Sequence, residues 1–143
     1  MALIFTDPNA AGPFSTFQDK DVRAKVVQLT QANFTTAGVN ALLARLPADA
    51  SIIDISVWVN TALNNGATAP QISIGTTSGG TQFANAFAVT NTAGTYANIT
   101  PLTGICQAYQ VPLGGEIDLW FRGICATANP TAADVRVVIR YVR

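Results

Sequence analysis

The sequence predicts an all-β fold: a β-sandwich or jelly-roll-like domain over residues 22–143, preceded by an extended N-terminal arm over residues 1–21. Three observations predict it. From Val22 onward, apolar and polar residues alternate with a period near two in run after run, as half-buried strands require. Turn residues separate those runs at roughly 8–12-residue intervals, the rhythm of a sandwich or jelly roll. Before Val22, MALIFTDPNAAGPFSTFQDKD mixes apolar residues with Pro, Gly, Asn and Asp and follows neither a strand nor a helix period.

The arm poses an energetic problem. Fixing about 20 backbones costs on the order of 20–40 kcal/mol, whereas burying Leu3, Ile4, Phe5, Phe14 and Phe17 returns only about 1.5–3 kcal/mol each. Either the arm also gains backbone hydrogen bonds by lying along its own sheet or a neighbour's, or part of it stays unattached. A frayed terminus would leave those five side chains in water, so they are candidate interface residues.

The strands follow in order. VRAKVVQLTQ places Val22, Ala24, Val26 and Gln28 on one face and Arg23, Lys25 and Val27 on the other, so one side is wet. In VNALLARLP, Val39, Leu42, Leu43 and Leu46 have a spacing that also suits a short helix. SIIDISVWVNTALN is the clearest element, with Ile53, Ile55, Val57, Val59, Thr61 and Leu63 opposed to Asp54, Ser56, Trp58, Asn60 and Ala62. NNGATAP turns the chain through Asn65 and Gly66, both able to take positive φ. QISIG ends a strand at Gly75, TTSGGTQ is a loop, and FANAFAVT opposes Phe83, Asn85, Phe87 and Val89 to Ala84, Ala86 and Ala88. YANITPL and CQAYQVPL read as short strands, each closed by a proline suited to a strand end. After Gly114 and Gly115, EIDLWFRGICA points Ile117, Leu119 and Phe121 inward and Asp118, Trp120 and Arg122 outward. ATANPTAA is a loop, and DVRVVIRYVR closes the chain with Val135, Val137, Ile139 and Tyr141 on one face.

Composition narrows the function. The chain of 143 residues fits one domain, and 49% hydrophobic content supplies a core. Eight basic residues cancel eight acidic ones, so nucleic acid is not the expected partner, because phosphate binding needs a cationic surplus on one face. After Asp54 the next charge is Glu116. The uncharged stretch between them offers Asn, Thr, Gln, Ser, Gly and Ala. It reads either as protein-contact surface that packs without desolvating ions or as uncharged loops of a β-domain. No run approaches the ~20 apolar residues of a membrane span. The first residues lack a basic segment and are broken by Pro8 and Pro13, so no signal peptide is expected and the chain is expected to be made in the cytosol.

Chemistry is not expected. The sequence contains no histidine, which removes the commonest general base and metal ligand together with every Ser-His-Asp or Cys-His arrangement. Cys106 and Cys125 without histidine partners cannot make a four-ligand zinc site. They read as small apolar strand residues rather than a disulfide, since a reducing cytosol disfavours a bridge. Glu116 and Asp118 are the only close acids on one strand face and resemble a solvated strand start more than a glycosidase pair. GTTSGG lacks the lysine of a phosphate loop. Trp58 and Trp120 fall opposite the main apolar stripes, where each suits a subunit interface, a covered core or stacking on a sugar. No catalytic residue, cofactor site or metal site is assigned.

Leu46-Pro47 before a long strand, the strand Ile72-Ser73-Ile74-Gly75 after a turn, and a small-residue loop at 126–133 feeding a last strand with Tyr141 form a pattern. It resembles that of small structural proteins of tailed bacteriophages, over roughly residues 42–143. The resemblance implies a jelly-roll-like sandwich, usually a homotrimer, located in the virion and decorating a capsid or forming part of a fibre or tail. The implied partners are further copies of the chain and a major capsid protein or other virion protein. It also implies that LLARLP enters the long strand in extended form.

Overall fold

A computed structural model of the chain describes residues 22–99 and 115–143. Leu3, Ile4, Phe5, Phe14, Phe17, Cys106 and the CQAYQVPL strand therefore lie outside the described residues.

Among the described residues there are eight strands: β1 (Val22–Thr30), β2 (Val39–Leu46), β3 (Ser51–Thr61), β4 (Thr68–Gly75), β5 (Ala84–Ala88), β6 (Thr95–Asn98), β7 (Ile117–Ala126) and β8 (Asp134–Val142). They form two four-stranded sheets in the orders β1-β8-β3-β6 and β2-β7-β4-β5, with every pair antiparallel. This interleaving is the jelly roll, two Greek keys wrapped into facing sheets.

The core lies between the sheets. Leu29, Ile55, Val57, Val59, Val135, Val137 and Ile139 from the first sheet meet Leu43, Leu46, Ile72, Ile74, Leu119 and Phe121 from the second, closed off by Phe34 and Phe83 from the connections. β7 and β8 keep strict alternation, with Leu119, Phe121, Gly123 and Cys125, and then Val135, Val137, Ile139 and Tyr141, all buried. Both are central strands, flanked on each side by a hydrogen-bonded neighbour.

Three strands depart from the alternation expected of them. β2 is extended, and its helix-like spacing comes from a bulge: Leu42 opposes Trp120 and Ala44 opposes Leu119, leaving Leu43 as the extra residue. Leu43, Ala44 and Leu46 are all buried. In β3 the register slips between Ile52 and Asp54, so Ile52 turns inward and Ile53, expected inside, is 36% exposed. In β5 a register shift and a positive φ at Ala86 break the expected alternation, burying Ala84 and exposing Asn85.

β1 shows the opposite face to the one its valines suggest. Leu29 pairs with buried Val135 and Val27 with Val137, which fixes the Arg23–Lys25–Val27–Leu29 side inward and leaves Val22 and Val26 66% and 60% exposed. At a sandwich edge the inner face opens to solvent, so a long cation can lie over apolar surface and bring out its head. The Lys25 ammonium does so, donating to the Arg45 carbonyl of β2.

The loops sort to two ends. Loops 62–67 and 126–133 meet at the end away from the start of β1. Asn64 Oδ1 accepts from the backbone N–H groups of Thr131 (2.8 Å) and Ala132 (2.7 Å), and Asn65 Nδ2 donates to the Asn129 carbonyl at 3.0 Å. Asn65 and Gly66 have the positive φ expected of them. Asn91 joins the same end, accepting from Leu63 N–H at 2.7 Å and donating to the Leu63 carbonyl at 3.1 Å. Loop 76–82 follows Gly75, which opposes Trp120 near the beginning of β7, and so lies at the other end. These asparagines answer part of the question raised by the uncharged stretch, because several of its polar side chains tie down the chain's own loops.

Candidate functional site

The outward face of the β1-β8-β3-β6 sheet can be laid out row by row from its register. Ser51, Val142 and Val22 form one row; Asp54, Arg140 and Ala24 the next; Asn98, Ser56, Val138 and Val26 another; and Tyr96, Trp58, Arg136 and Gln28 another. Trp58 is 48% exposed and Tyr96 47%, and their ring centroids stand 4.8 Å apart at a 59° tilt. The Tyr96 hydroxyl donates to Asn98 Oδ1, which fixes the ring. Trp58 is therefore outside the core.

Charges on this face neutralise one another. Arg140 grips Asp54 through both carboxylate oxygens, with its Nε 2.9 Å from Oδ1. The carboxylate raises the Arg140 pKa, chiefly through the hydrogen bond. Arg136 stands 3.6 Å from Asp134, and at the sheet end Arg143 pairs with Asp49 at 2.9 Å. Exposed pairs of this kind add little stability. Their consequence is that an incoming surface meets dipoles rather than bare ions beside the aromatic pair.

The outward face of the other sheet is built around Trp120. Its row reads Leu42, Trp120, Gly75, and the next row reads Asn40, Arg122, Ser73. Trp120 is half-buried and Leu42 is 47% exposed. The Arg122 side chain lies over Gly38, where an added Cβ would come within 2.7 Å of its Nε. Among the described residues Arg122 has no acidic partner.

Glu116 and Asp118 share a cation. Arg45 Nε lies 2.6 Å from Asp118 Oδ1 and 3.8 Å from Glu116. The hydrogen bond from Arg45 holds the Asp118 carboxyl below its ordinary pKa, which keeps it ionised and makes it a poor general acid. A hollow of about 210 Å³ is lined, among the described residues, by Ser51, Ile52, Ile53 and Val142, none of them titratable. Cys125 is buried, its thiol donates to the Ala128 carbonyl at 3.3 Å, and burial pushes its pKa up, away from the reactive thiolate. Among the described residues no three His, Cys, Asp or Glu side chains gather to hold a metal.

With no histidine in the chain, no side chain has an ordinary pKa between about 5 and 8. The depressed Asp118 contributes stability that is present above its unfolded pKa and is lost as pH falls through the lower folded value. The raised Arg45 and Arg140 lose their contribution only in strong base. The melting temperature should therefore stay level from pH 5.5 to 8 and fall only below about pH 4. A change of more than about 4 °C inside the level range, the equivalent of roughly 1 kcal/mol in a domain of this size, would contradict this account of the charges.

Chains of bacteriophage capsids share this fold. A chain of the cyanophage Pam1 capsid asymmetric unit superposes with a TM-score of 0.57 at 18% identity, over 86% of this chain and 85% of its own. A chain of the Ralstonia phage GP4 capsid gives 0.59 at 18% identity, covering 86% and 84%. A chain of the acidic stable capsid of Helicobacter pylori bacteriophage KHP30 gives 0.50 at 13% identity, covering 87% and 93%. At such identities the likeness is one of fold. No protein-family model matches the sequence, and no curated protein sequence matches it significantly.

Sequence reasoning placed Trp58 and Trp120 on outward faces, and both are there. The structure sets them on opposite sheets and does not bring them together. Tyr96 beside Trp58 and Leu42 beside Trp120 went unrecognised as surface residues. The alternation of YANI could have exposed Tyr96, whereas Leu42 is hidden from sequence by its bulge.

Proposed function

We propose that the chain is a non-enzymatic structural protein of a bacteriophage virion, and specifically a capsid decoration or cement protein. It works as a homo-oligomer, the homotrimer implied by its resemblance, with uncharged loops and aromatic faces against neighbouring copies and an N-terminal arm reaching onto the shell. One observation carries this reading. Each broad face of the sandwich presents a tryptophan with an exposed apolar neighbour, and the ions around Trp58 pair among themselves. Aromatic and arginine side chains of this kind are enriched in protein interfaces and at their energetic centres. The capsid origin of the structures that share its fold supports the same reading. Closed symmetry multiplies weak contacts, so a shell can be reinforced without chemistry.

The test is co-sedimentation of the purified chain with particles of its own phage stripped of it. Wild type should bind stoichiometrically. Trp58→Ala should fold normally, since the ring is outside the core, yet bind about 30-fold more weakly, the effect of losing an anchor worth roughly 2 kcal/mol. Failure of wild type to sediment with particles, together with signals on a glycan array, would replace this reading with a receptor-binding module of a fibre or tail. That alternative draws on loops 64–70, 76–82 and 126–133 acting at one end. The fold disfavours it as drawn, because the middle loop lies at the other end.

A further inference from the structure

Each acid among the described residues has an arginine beside it. Asp49, Asp54 and Asp134 stand next to Arg143, Arg140 and Arg136, and Glu116 and Asp118 share Arg45. Arg122 has no such partner among the described residues, yet it stands exposed on the outward face of β7, two residues from Trp120. The other acids of the chain are Asp7, Asp19 and Asp21, all within residues 1–21, where Lys20 is the only base. By side chains the arm therefore carries −2 (three acids, one base) and residues 22–143 carry +2 (five acids, seven bases). Trp120 has Leu42 beside it on β2, and on the β4 side the loop residues Gly80 and Gln82 fill the space over Gly75. The ring is thus the floor of a shallow bay with Arg122 at one end.

We infer that this bay holds the start of the same chain's arm, with Phe5 packed on Trp120 and the Asp7 carboxylate on the Arg122 guanidinium. In an extended segment residues i and i+2 share a side about 6.6–6.8 Å apart, so Phe5 and Asp7 repeat the spacing of Trp120 and Arg122. An aromatic pair and an arginine–carboxylate fork are strong contacts for these residue types. The arm contains Phe-x-Asp a second time, at Phe17 and Asp19, and reach separates the two. Lys25 touches the Arg45 carbonyl, and Arg45 opposes Asp118. Val22 lies three residues from Lys25 in one direction and Arg122 four from Asp118 in the other, roughly 23 Å in all along the strands. Asp19, three residues before Val22, reaches only about 10 Å, whereas Asp7, fifteen before it, reaches about 50 Å.

The contact answers the energetic problem that the arm poses. A decoration protein waiting for a shell would otherwise hold Phe5 in water. Docked on its own chain, Phe5 covers Trp120, and both are uncovered together when the arm moves to the shell. In that use the inference rests on the decoration reading, which it deepens by giving the unattached protein a closed form. The tether keeps the segment at an effective concentration that favours its own bay over another copy's in dilute solution. The contact itself can be tested without particles.

The experiment uses the full chain with Trp58→Phe, which leaves Trp120 as the only tryptophan, and follows acrylamide quenching of its fluorescence, with each variant's fold checked by circular dichroism. Phe5→Ala and Asp7→Asn should each raise the quenching constant about twofold, as the outer face of the ring opens to solvent. Arg122→Asp should do the same, and combining it with Asp7→Arg should restore the low value, which a merely structural role of either residue would not do. Phe17→Ala and Asp19→Asn should change nothing; an effect there in place of Phe5 and Asp7 would overturn the assignment. One value for all these chains would overturn the proposal, low when residues 100–114 cover Trp120 and high when nothing does. So would quenching that rises on dilution, since that places the segment on another copy. Quenching is read on the free protein and attachment by co-sedimentation, so loss of either with the other intact separates failure of this contact from failure of the decoration reading.

Discussion

Gly123→Val is expected to lower the melting temperature by roughly 10 °C or more, or to leave the protein unfolded at expression. Gly123 is buried in the middle of β7, and a Cβ there would stand 2.1 Å from the Asn33 carbonyl oxygen and 3.3 Å from the Phe121 ring. The first contact is with backbone, in the 3₁₀ turn Gln31–Asn33 that links β1 to β2. It can be relieved only by moving that turn away, together with Phe34, which is fully buried. Overpacking costs about 1–3 kcal/mol where side chains can yield, and a backbone obstacle puts this case at the top of that range or above. In a domain of this size each kcal/mol is worth about 4 °C. Gly115→Ala is the control, since nothing lies within 4 Å of the added carbon. Thermal unfolding followed by circular dichroism distinguishes them: equal melting temperatures for the two variants would mean that Asn33 does not press on Gly123.

Deleting residues 1–17 is expected to leave the sandwich folded while weakening attachment to particles about tenfold or more. The first of the described strands starts at Val22, and the core described above is drawn from Leu29 to Tyr141. The arm holds apolar side chains at Leu3, Ile4, Phe5, Phe14 and Phe17, and losing even one anchor worth ~1.4 kcal/mol at an interface costs a factor of ten. The melting temperature should shift by less than about 4 °C, a change of under ~1 kcal/mol. Truncated chain that sediments with particles as tightly as the full chain would remove the arm from the attachment mechanism. A large fall in melting temperature would instead make it part of the fold.

How far the sequence could be read depended on where each strand lies. β7 and β8 follow their binary patterns without exception because each is central in its sheet, faces the core on one side and runs without a bulge on that face. Bulges defeated the pattern elsewhere. The extra residue at Leu43 made β2 look helical, and the slip at Ile53 moved that side chain outside while leaving Ile55, Val57 and Val59 in phase. Alternation counts residues, and a bulge adds one without leaving a mark in composition.

The sequence by itself determined that the chain is β-rich, where most strands and turns fall, that imidazole chemistry is excluded, and that tryptophans stand opposite the apolar stripes. These follow from local periodicity, turn residues and residue types, which need no knowledge of neighbours. Tertiary structure alone decided which side of β1 faces inward, which loops share an end, and that each described acid has an arginine beside it. Those outcomes depend on pairing between strands far apart in the chain, such as Val22 with Val142, and a strand's own pattern constrains its register only through the partner it meets.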